Sequence, residues 1–150
     1  MRLACQRDKA IDWIVASGAD TPIDDHSLDG LTCLFTPLSP KEFSRLLKPD
    51  GVLLIASTGP EHLIELRQLI YPQLRNDSFA PAKALVNYFQ PTDETTVRFN
   101  FSLDDNRNIL QLLSMTPHQW RASAQAREKL SSVKQLSLTG DVRLSLFKPR

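Results

Sequence analysis

Cysteine is scarce in this chain, and the two it has build no framework. Cys5 and Cys33 lie far apart, and neither their number nor their spacing makes a zinc site. Cys33 stands in an apolar run and reads as a buried thiol. Glycine is also sparse: Gly18, Gly30, Gly51, Gly59 and Gly140 are the only five, and none stands within a G-x-G. A glycine-rich cofactor loop is therefore missing. No apolar run approaches the ~20 residues of a membrane span. The amino terminus, MRLACQRDK, lacks the apolar core of a signal peptide. There is no excess of one charge either. The net charge of +1 gives no global electrostatic case for nucleic acid, although a small basic patch is compatible with it. Repeats and low-complexity tracts are absent. Cytoplasm is the expected compartment.

What remains is an ordinary globular balance, with 41% hydrophobic and 23% charged residues. A length of 150 residues suits one domain or part of one. Residues 2–10 read as the end of a helix. Trp13–Ala16 reads as a short strand, and the Asp-, Ser-, Gly- and Pro-rich stretch Ser17–Leu28 as a loop. Leu31–Phe35 is a second buried strand candidate.

Ser39 has three helix-start signals. It suits the N-cap, Pro40 suits the first helical position, and Glu42 completes a Ser-x-x-Glu capping box. Phe43, Leu46 and Leu47 share one face. Lys48 favours the helix end, Pro49 stops it, and Gly51 permits a turn. Val52–Ala56 then reads as a strand buried on both faces, as in a parallel sheet. Thr58-Gly59-Pro60 is a loop at its carboxyl end, and Glu61–Tyr71 a helix with Leu63, Leu66 and Ile70 inward. Residues 72–83 read as loop.

The period changes in the second half. Val97, Phe99, Phe101 and Leu103 alternate along Thr95–Leu103, as in a half-buried strand. Asp104–Leu113 reads as helix. Thr116–Gln119 is a second capping box, with Pro117 at N1 and Met115 and Trp120 as a hydrophobic staple, opening a helix to about Leu130. Val133–Leu138 and Val142–Phe147 read as a hairpin around Thr139-Gly140-Asp141.

These segments carry a family resemblance. Val15-Ala16-Ser17 with Pro22–Asp29 resembles a "VAS…LPFxDxSxD" segment, and Phe35-Thr36-Pro37 resembles "YxP". Lys48–Gly51 resembles "KPGG", Ser57–Leu63 with Glu65-Leu66 resembles "TPGPRHLxEL", and Met115-Thr116-Pro117 with Trp120-Arg121 resembles "MTPxxWR". Together they resemble the 23S rRNA guanine-N1 methyltransferases, a branch of the class I S-adenosylmethionine-dependent fold. The match spans nearly the whole chain. It implies an α/β fold: the C-terminal part of a Rossmann-like sheet of order 3-2-1-4-5-7-6, parallel strands followed by an antiparallel hairpin. The zinc ribbon, the glycine loop and the ribose-binding acidic residue of such enzymes have no counterpart here. The expectation is a partial domain over 1–150, inactive alone. Its first strand would be stranded and its fourth-strand edge exposed, which favours instability or self-association.

The resemblance also implies sites. His62, Ser17, Gly18, Phe35 and Thr36 would face S-adenosylmethionine. Pro37, Trp120 and Arg121 would face the 23S rRNA substrate, with Phe35 able to stack on a base. Structural readings stand beside each. His62 could cap or meet solvent in a helix's first turn. Ser17 and Gly18 could be loop chemistry, Phe35 could be core, and capping accounts for Trp120, leaving Arg121 a weak phosphate candidate. Methyl transfer is an in-line displacement that asks mainly for alignment. Guanine N1 carries a proton, so a base is useful. Asp24, Asp25 and Asp29 are acidic candidates, but loop capping and turn formation are the favoured account of them, and no catalytic residue is assigned. Two other functions compete: methylation of a small molecule, and a non-catalytic remnant that binds a partner chain.

Overall fold

Four long strands form one mixed sheet in the computed structural model, which describes residues 2–74 and 79–150. In chain order the elements are α1 (Arg2–Arg7), β1 (Leu28–Leu34), α2 (Pro40–Leu46), β2 (Leu47–Thr58), α3 (Ile64–Ile70), α4 (Pro81–Leu85), β3 (Phe89–Leu103), α5 (Asn106–Ser114), α6 (His118–Arg121), α7 (Ala124–Ser131) and β4 (Leu136–Pro149). The spatial order is β1-β2-β4-β3. β1 and β2 run parallel, and β4 runs antiparallel to both β2 and β3. With β1 and β2 as strands four and five, this is the 4-5-7-6 half of the expected order.

The period of two along each strand divides the sheet into two faces. On one face Leu53, Ile55, Cys33 and Phe147 pack with Phe43 and Leu47 and with Leu85 and Phe89. On the other, Leu138, Phe101 and Leu103 pack with Leu63, Leu66 and Ile70 of the α3 region, Ile109 and Leu113 of α5, and Leu130 of α7. That second cluster covers only one end of its face. Val52, Leu54, Val142, Leu144 and Leu146 share this face, are only half-buried, and belong to neither cluster. Val97 and Phe99 lie beside them on β3 and are exposed.

Several local expectations fail, each for a physical reason. Trp13–Ala16 forms no strand. The segment pairs with no strand of the sheet, and Trp13, Ile14 and Val15 are exposed. Ser39 precedes α2 without a side-chain cap. The Glu42 carboxylate does not return to the Ser39 N–H either, because it is taken by the Thr21 N–H (2.8 Å), the Thr21 hydroxyl (2.7 Å) and Arg45 (2.7 Å). The Lys48–Gly51 turn is instead the start of β2, where the pairing jumps from Leu28–Leu47 to Gly30–Val52. Gly51 has an ordinary φ. Its value is closeness: a Cβ there would sit 3.0 Å from the Lys48 carbonyl.

The helix expected from Glu61 starts only at Ile64, since Leu63 is left-handed (φ 50°). Of the loop expected over 72–83, residues 75–78 lie outside the described residues, and Pro81 opens α4. β3 begins six residues early, at Phe89. The second capping box and its staple do not form. The Thr116 hydroxyl donates to the Leu113 carbonyl (2.9 Å), α6 stops at Arg121, and Ser123 caps a separate α7. The hairpin is also absent. β4 runs unbroken through Thr139-Gly140-Asp141, and its antiparallel partner is β3, three helices earlier. Gly140 lets the Phe99 ring of β3 lie against its backbone, where a Cβ would collide with that ring.

Candidate functional site

Parallel strands bring their following loops to one edge. The carboxyl ends of β1 and β2 are neighbours, joined where the Phe35 N–H donates to the Ala56 carbonyl (3.0 Å). β4 passes β2 in the opposite sense, so Val142 faces Thr58 and residues Thr139–Asp141 extend beyond the end of β2. The loop after β2 folds onto that extension. The Gly59 N–H donates to the Asp141 carbonyl (2.8 Å), and the Leu63 N–H to the Thr139 carbonyl (2.8 Å). The Asp141 carboxylate accepts the Glu61 N–H (2.9 Å), and the Asp141 N–H donates to His62 Nδ1 (3.3 Å). Glu65 of α3 closes the seam by accepting the Thr139 N–H (2.9 Å) and hydroxyl (2.6 Å).

His62 therefore sits in a turn, half-buried, with Nδ1 used as an acceptor. The neutral ring then carries its proton on Nε2. Burial lowers its pKa, opposed by the hydrogen bond and the charge of Asp141, so it is neutral at pH 7. Asp141 is completely buried. Its Oδ1 has no hydrogen-bond partner among the described residues, while Arg98 reaches its Oδ2 (3.6 Å) and Glu61 Oε2 (3.1 Å). The sequence alone marked none of Asp141, Arg98 and Glu61. The only signal was Gly59, which must lack a Cβ because the Asp141 carboxylate occupies that space.

Phe35, Thr36 and Pro37 lie exposed at the end of β1. Phe35 is 59% exposed, so it is not core. Its φ of 54° is unusual for an aromatic residue and marks local strain at the sheet's carboxyl edge. The Thr36 hydroxyl meets Cys33 Sγ (3.1 Å). Ser17 and Gly18 are exposed in a short bridge with Asp20, and Gly18 faces Ser39 at the start of α2. Three of the sequence-derived positions thus share the carboxyl side: the 17–18 turn, the 35–37 loop and His62. The acidic candidates do not join them. Asp25 pairs with Arg45, and Asp29 pairs with Lys48 (2.6 Å), at the opposite end of β1 and α2. The Lys48 ammonium holds the Asp29 carboxyl below its usual range.

Trp120 and Arg121 belong to α6, beyond His62. The Tyr71 hydroxyl and His118 Nδ1 are 2.9 Å apart, their rings edge-on at 5.6 Å. Arg67 donates to the Pro60 carbonyl (2.8 Å). Burial first, and then the charges of Arg67 and Arg121, lower the pKa of His118. Trp120 is 82% exposed.

A parallel pair followed by an antiparallel pair, with its loops gathered at the carboxyl edge, defines the later half of a class I methyltransferase-type α/β sheet. The chain is 32% identical over 136 residues to a Bacillus subtilis (strain 168) protein named "Putative 23S rRNA (guanine-N(1)-)-methyltransferase YxjB". It is 30% identical over 133 residues to a Micromonospora griseorubida protein of the same description. Those matches cover 89% and 85% of this chain but 48% and 44% of the relatives, so the chain spans under half the length of the curated relatives it matches. No family model matches. Among solved structures, the Bacillus subtilis YcgJ protein aligns with a TM-score of 0.54 at 17% identity, over 99% of this chain and 76% of that one. A Bacillus halodurans C-125 protein described as a "putative methyltransferase (BH2331)" aligns with a TM-score of 0.52 at 15% identity, over 89% and 69%. These likenesses are of fold.

S-adenosylmethionine is the group such a sheet implies. The positions that the resemblance implies for it, Ser17-Gly18, Phe35-Thr36 and His62, lie in loops on the carboxyl side of the sheet. Among the described residues no G-x-G loop accompanies them, and the Thr36 hydroxyl already meets Cys33 Sγ (3.1 Å). This set does not make a complete cofactor site. No helix among the described residues is long and apolar enough to cross a membrane.

Proposed function

We propose that this chain is the later, target-facing portion of an S-adenosylmethionine-dependent methyltransferase directed at guanine N1 of 23S rRNA, a partial domain without the glycine loop. The observation that carries the reading is the β1-β2-β4-β3 order, with His62 held on the loop after β2. The named relatives support it. By itself the chain should bind S-adenosylmethionine no better than millimolar, since the glycine loop is absent. Calorimetric titration tests this. Weak binding that His62→Ala abolishes fits the reading, and no heat at several millimolar ligand removes cofactor contact by this chain.

A second reading is favoured by the half-buried apolar sheet face around Leu54, Val142, Leu144 and Leu146, which belongs to neither core cluster. An apolar sheet face without a covering layer is an association surface. In this reading the chain works only when a partner polypeptide covers that face. Sedimentation of the purified chain is the check. A monomer that binds no apolar dye would count against it, and Leu144→Lys should suppress any association.

A further inference from the structure

We propose that the free edge of β1 docks a parallel strand of a second polypeptide, whose crossover helix covers the adjoining sheet face. The inference rests on the second reading above, that a partner covers this face. It adds the seam, the direction and the chemistry of that partner.

The two edges of the sheet are built differently. β3, at one end of the order, carries Pro91, a bulge between Pro91 and Asp93, and the charges of Asp93, Glu94 and Arg98. Those are the devices that keep an edge strand from pairing with another chain. β1, at the other end, has none of them over residues 30–34. Its one charge, Asp29, stands near the start and is tied to Lys48 (2.6 Å). Along a strand, successive residues turn their backbone groups to opposite sides. The Phe35 N–H turns inward to the Ala56 carbonyl (3.0 Å), so the backbones of Cys33 and Leu31 turn inward too. Gly30, Thr32 and Leu34 then offer their N–H and C=O groups outward. Nothing among the described residues pairs with them.

The edge runs directly into the half-buried face. Thr32 lies beside Leu54 and Leu34 beside Ala56, and both β1 side chains are exposed. α2 crosses from β1 to β2 on the other face, where Phe43 packs with Leu53 and Cys33. A right-handed crossover that runs the opposite way along a sheet sets its helix on the opposite face. A parallel strand on β1 whose chain winds away from it therefore brings a helix to the Leu54 side. Such a unit supplies an uncharged strand and a helix with an apolar stripe. A second copy of this chain does not. Two β1 edges joined about a two-fold axis run antiparallel and leave both Leu54 faces uncovered.

The cover required is large. A compact monomer of 16.9 kDa exposes about 7,700 Å². This chain exposes 10471 Å². Residues 5–20, exposed throughout, carry part of the difference, but roughly 2,800 Å² is on the scale of an obligate interface.

The test coexpresses the whole chain with the part of the Bacillus subtilis relative that the match leaves out, as a separate polypeptide. Light scattering should find a one-to-one complex. In it, amide exchange at Gly30, Thr32 and Leu34 should slow about 100-fold, as for a ligand at about 100 times its Kd. Amides on the free side of β3 should not change. Thr32→Pro removes one outward N–H where an edge strand tolerates proline. It should keep the chain's own urea midpoint and weaken the complex about 5- to 150-fold, the effect of one buried carbonyl left unpaired. Exchange on the wild type decides the matter even where Thr32→Pro disturbs folding. No complex, or β1 amides that exchange as fast as in the free chain, would overturn the proposal. So would a dimer of this chain paired through β1. A complex lost in Leu144→Lys but kept in Thr32→Pro would leave a covered face and refute the docked strand. Titration of the chain alone with S-adenosylmethionine reports separately on the methyltransferase reading.

Discussion

Replacing Gly59 by alanine should destabilise the chain through one buried carboxylate. A Cβ at position 59 would lie well under 3.0 Å from Cγ, Oδ1 and Oδ2 of Asp141. Asp141 has little room to retreat. It is fully buried, its Oδ2 accepts the Glu61 N–H (2.9 Å), and its backbone holds Gly59 and His62. Forcing extra volume into packed structure costs about 1–3 kcal/mol. Losing a hydrogen bond to a charged group adds about 1.5–3 kcal/mol. Together Gly59→Ala should cost about 3–5 kcal/mol, a large part of the ~5–15 kcal/mol of a typical domain. In urea, with a slope of about 1–3 kcal/mol per molar, the midpoint should fall by more than about 1 M. The decisive assay is a double-mutant cycle with Asp141→Ala, which removes the obstructing atoms. In that background Gly59→Ala should cost less than about 1 kcal/mol, the glycine-to-alanine change then being nearly neutral. An equal cost in both backgrounds would refute the collision. A Gly59→Ala midpoint unchanged within error would refute the loop geometry as well.

Three further outcomes follow from the buried contacts of Glu42, His62 and Gly140. Arg45 first, and then Thr21, hold the Glu42 carboxyl down to about 2 from its ordinary 4.5. The folded pKa is the lower one, so this contribution is complete above pH 4.5 and is lost as pH falls toward 2. Urea melts across that window should steepen for wild type and flatten for Glu42→Gln, and parallel profiles would discount the contact. Burial makes His62 harder to protonate when folded, so its stabilising effect is present above pH 6.5 and declines as pH drops below it. An imidazole titration by NMR should show a midpoint below 6.5 with the neutral proton on Nε2; a midpoint at or above 6.5 would sink this placement. Gly140→Ala should displace the Phe99 ring but cost only about 1 kcal/mol, because that ring is half-exposed and can swing aside. A loss as large as that predicted for Gly59→Ala would mean the ring is not free to move.

The buried strands β1 and β2 were legible in the sequence because an apolar run marks burial by itself, while the strand order came from the family resemblance. Leu53 and Ile55 are inward on a central strand, and a run of apolar residues says so without knowledge of any partner. Leu63, Leu66 and Ile70 likewise kept their face although α3 starts later than expected. Caps were misread where a distant group competed for the capping atom. Glu42 could have closed a box with Ser39, but Thr21 and Arg45 outbid the local bond. Trp120 could have stapled to Met115, but α6 ends at Arg121 and Ser123 starts a new helix, so the register of the pair is lost.

Glycine was the other source of error, and it bears directly on the site. Gly51, Gly59 and Gly140 all invite a turn when read locally, yet none has a positive φ. Each is small because something from elsewhere comes close: the Lys48 carbonyl at Gly51, the Asp141 carboxylate at Gly59, the Phe99 ring at Gly140. Reading Gly140 as a turn cut β4 in two and hid Asp141 inside a supposed hairpin tip. With β4 intact, Asp141 stands beside the end of β2 and grips Gly59, Glu61 and His62 together. The residue that organises the candidate site was therefore concealed by the same assumption that misplaced the strand. His62 could be selected from its motif, but what fixes its tautomer and its position comes from a residue 79 positions away.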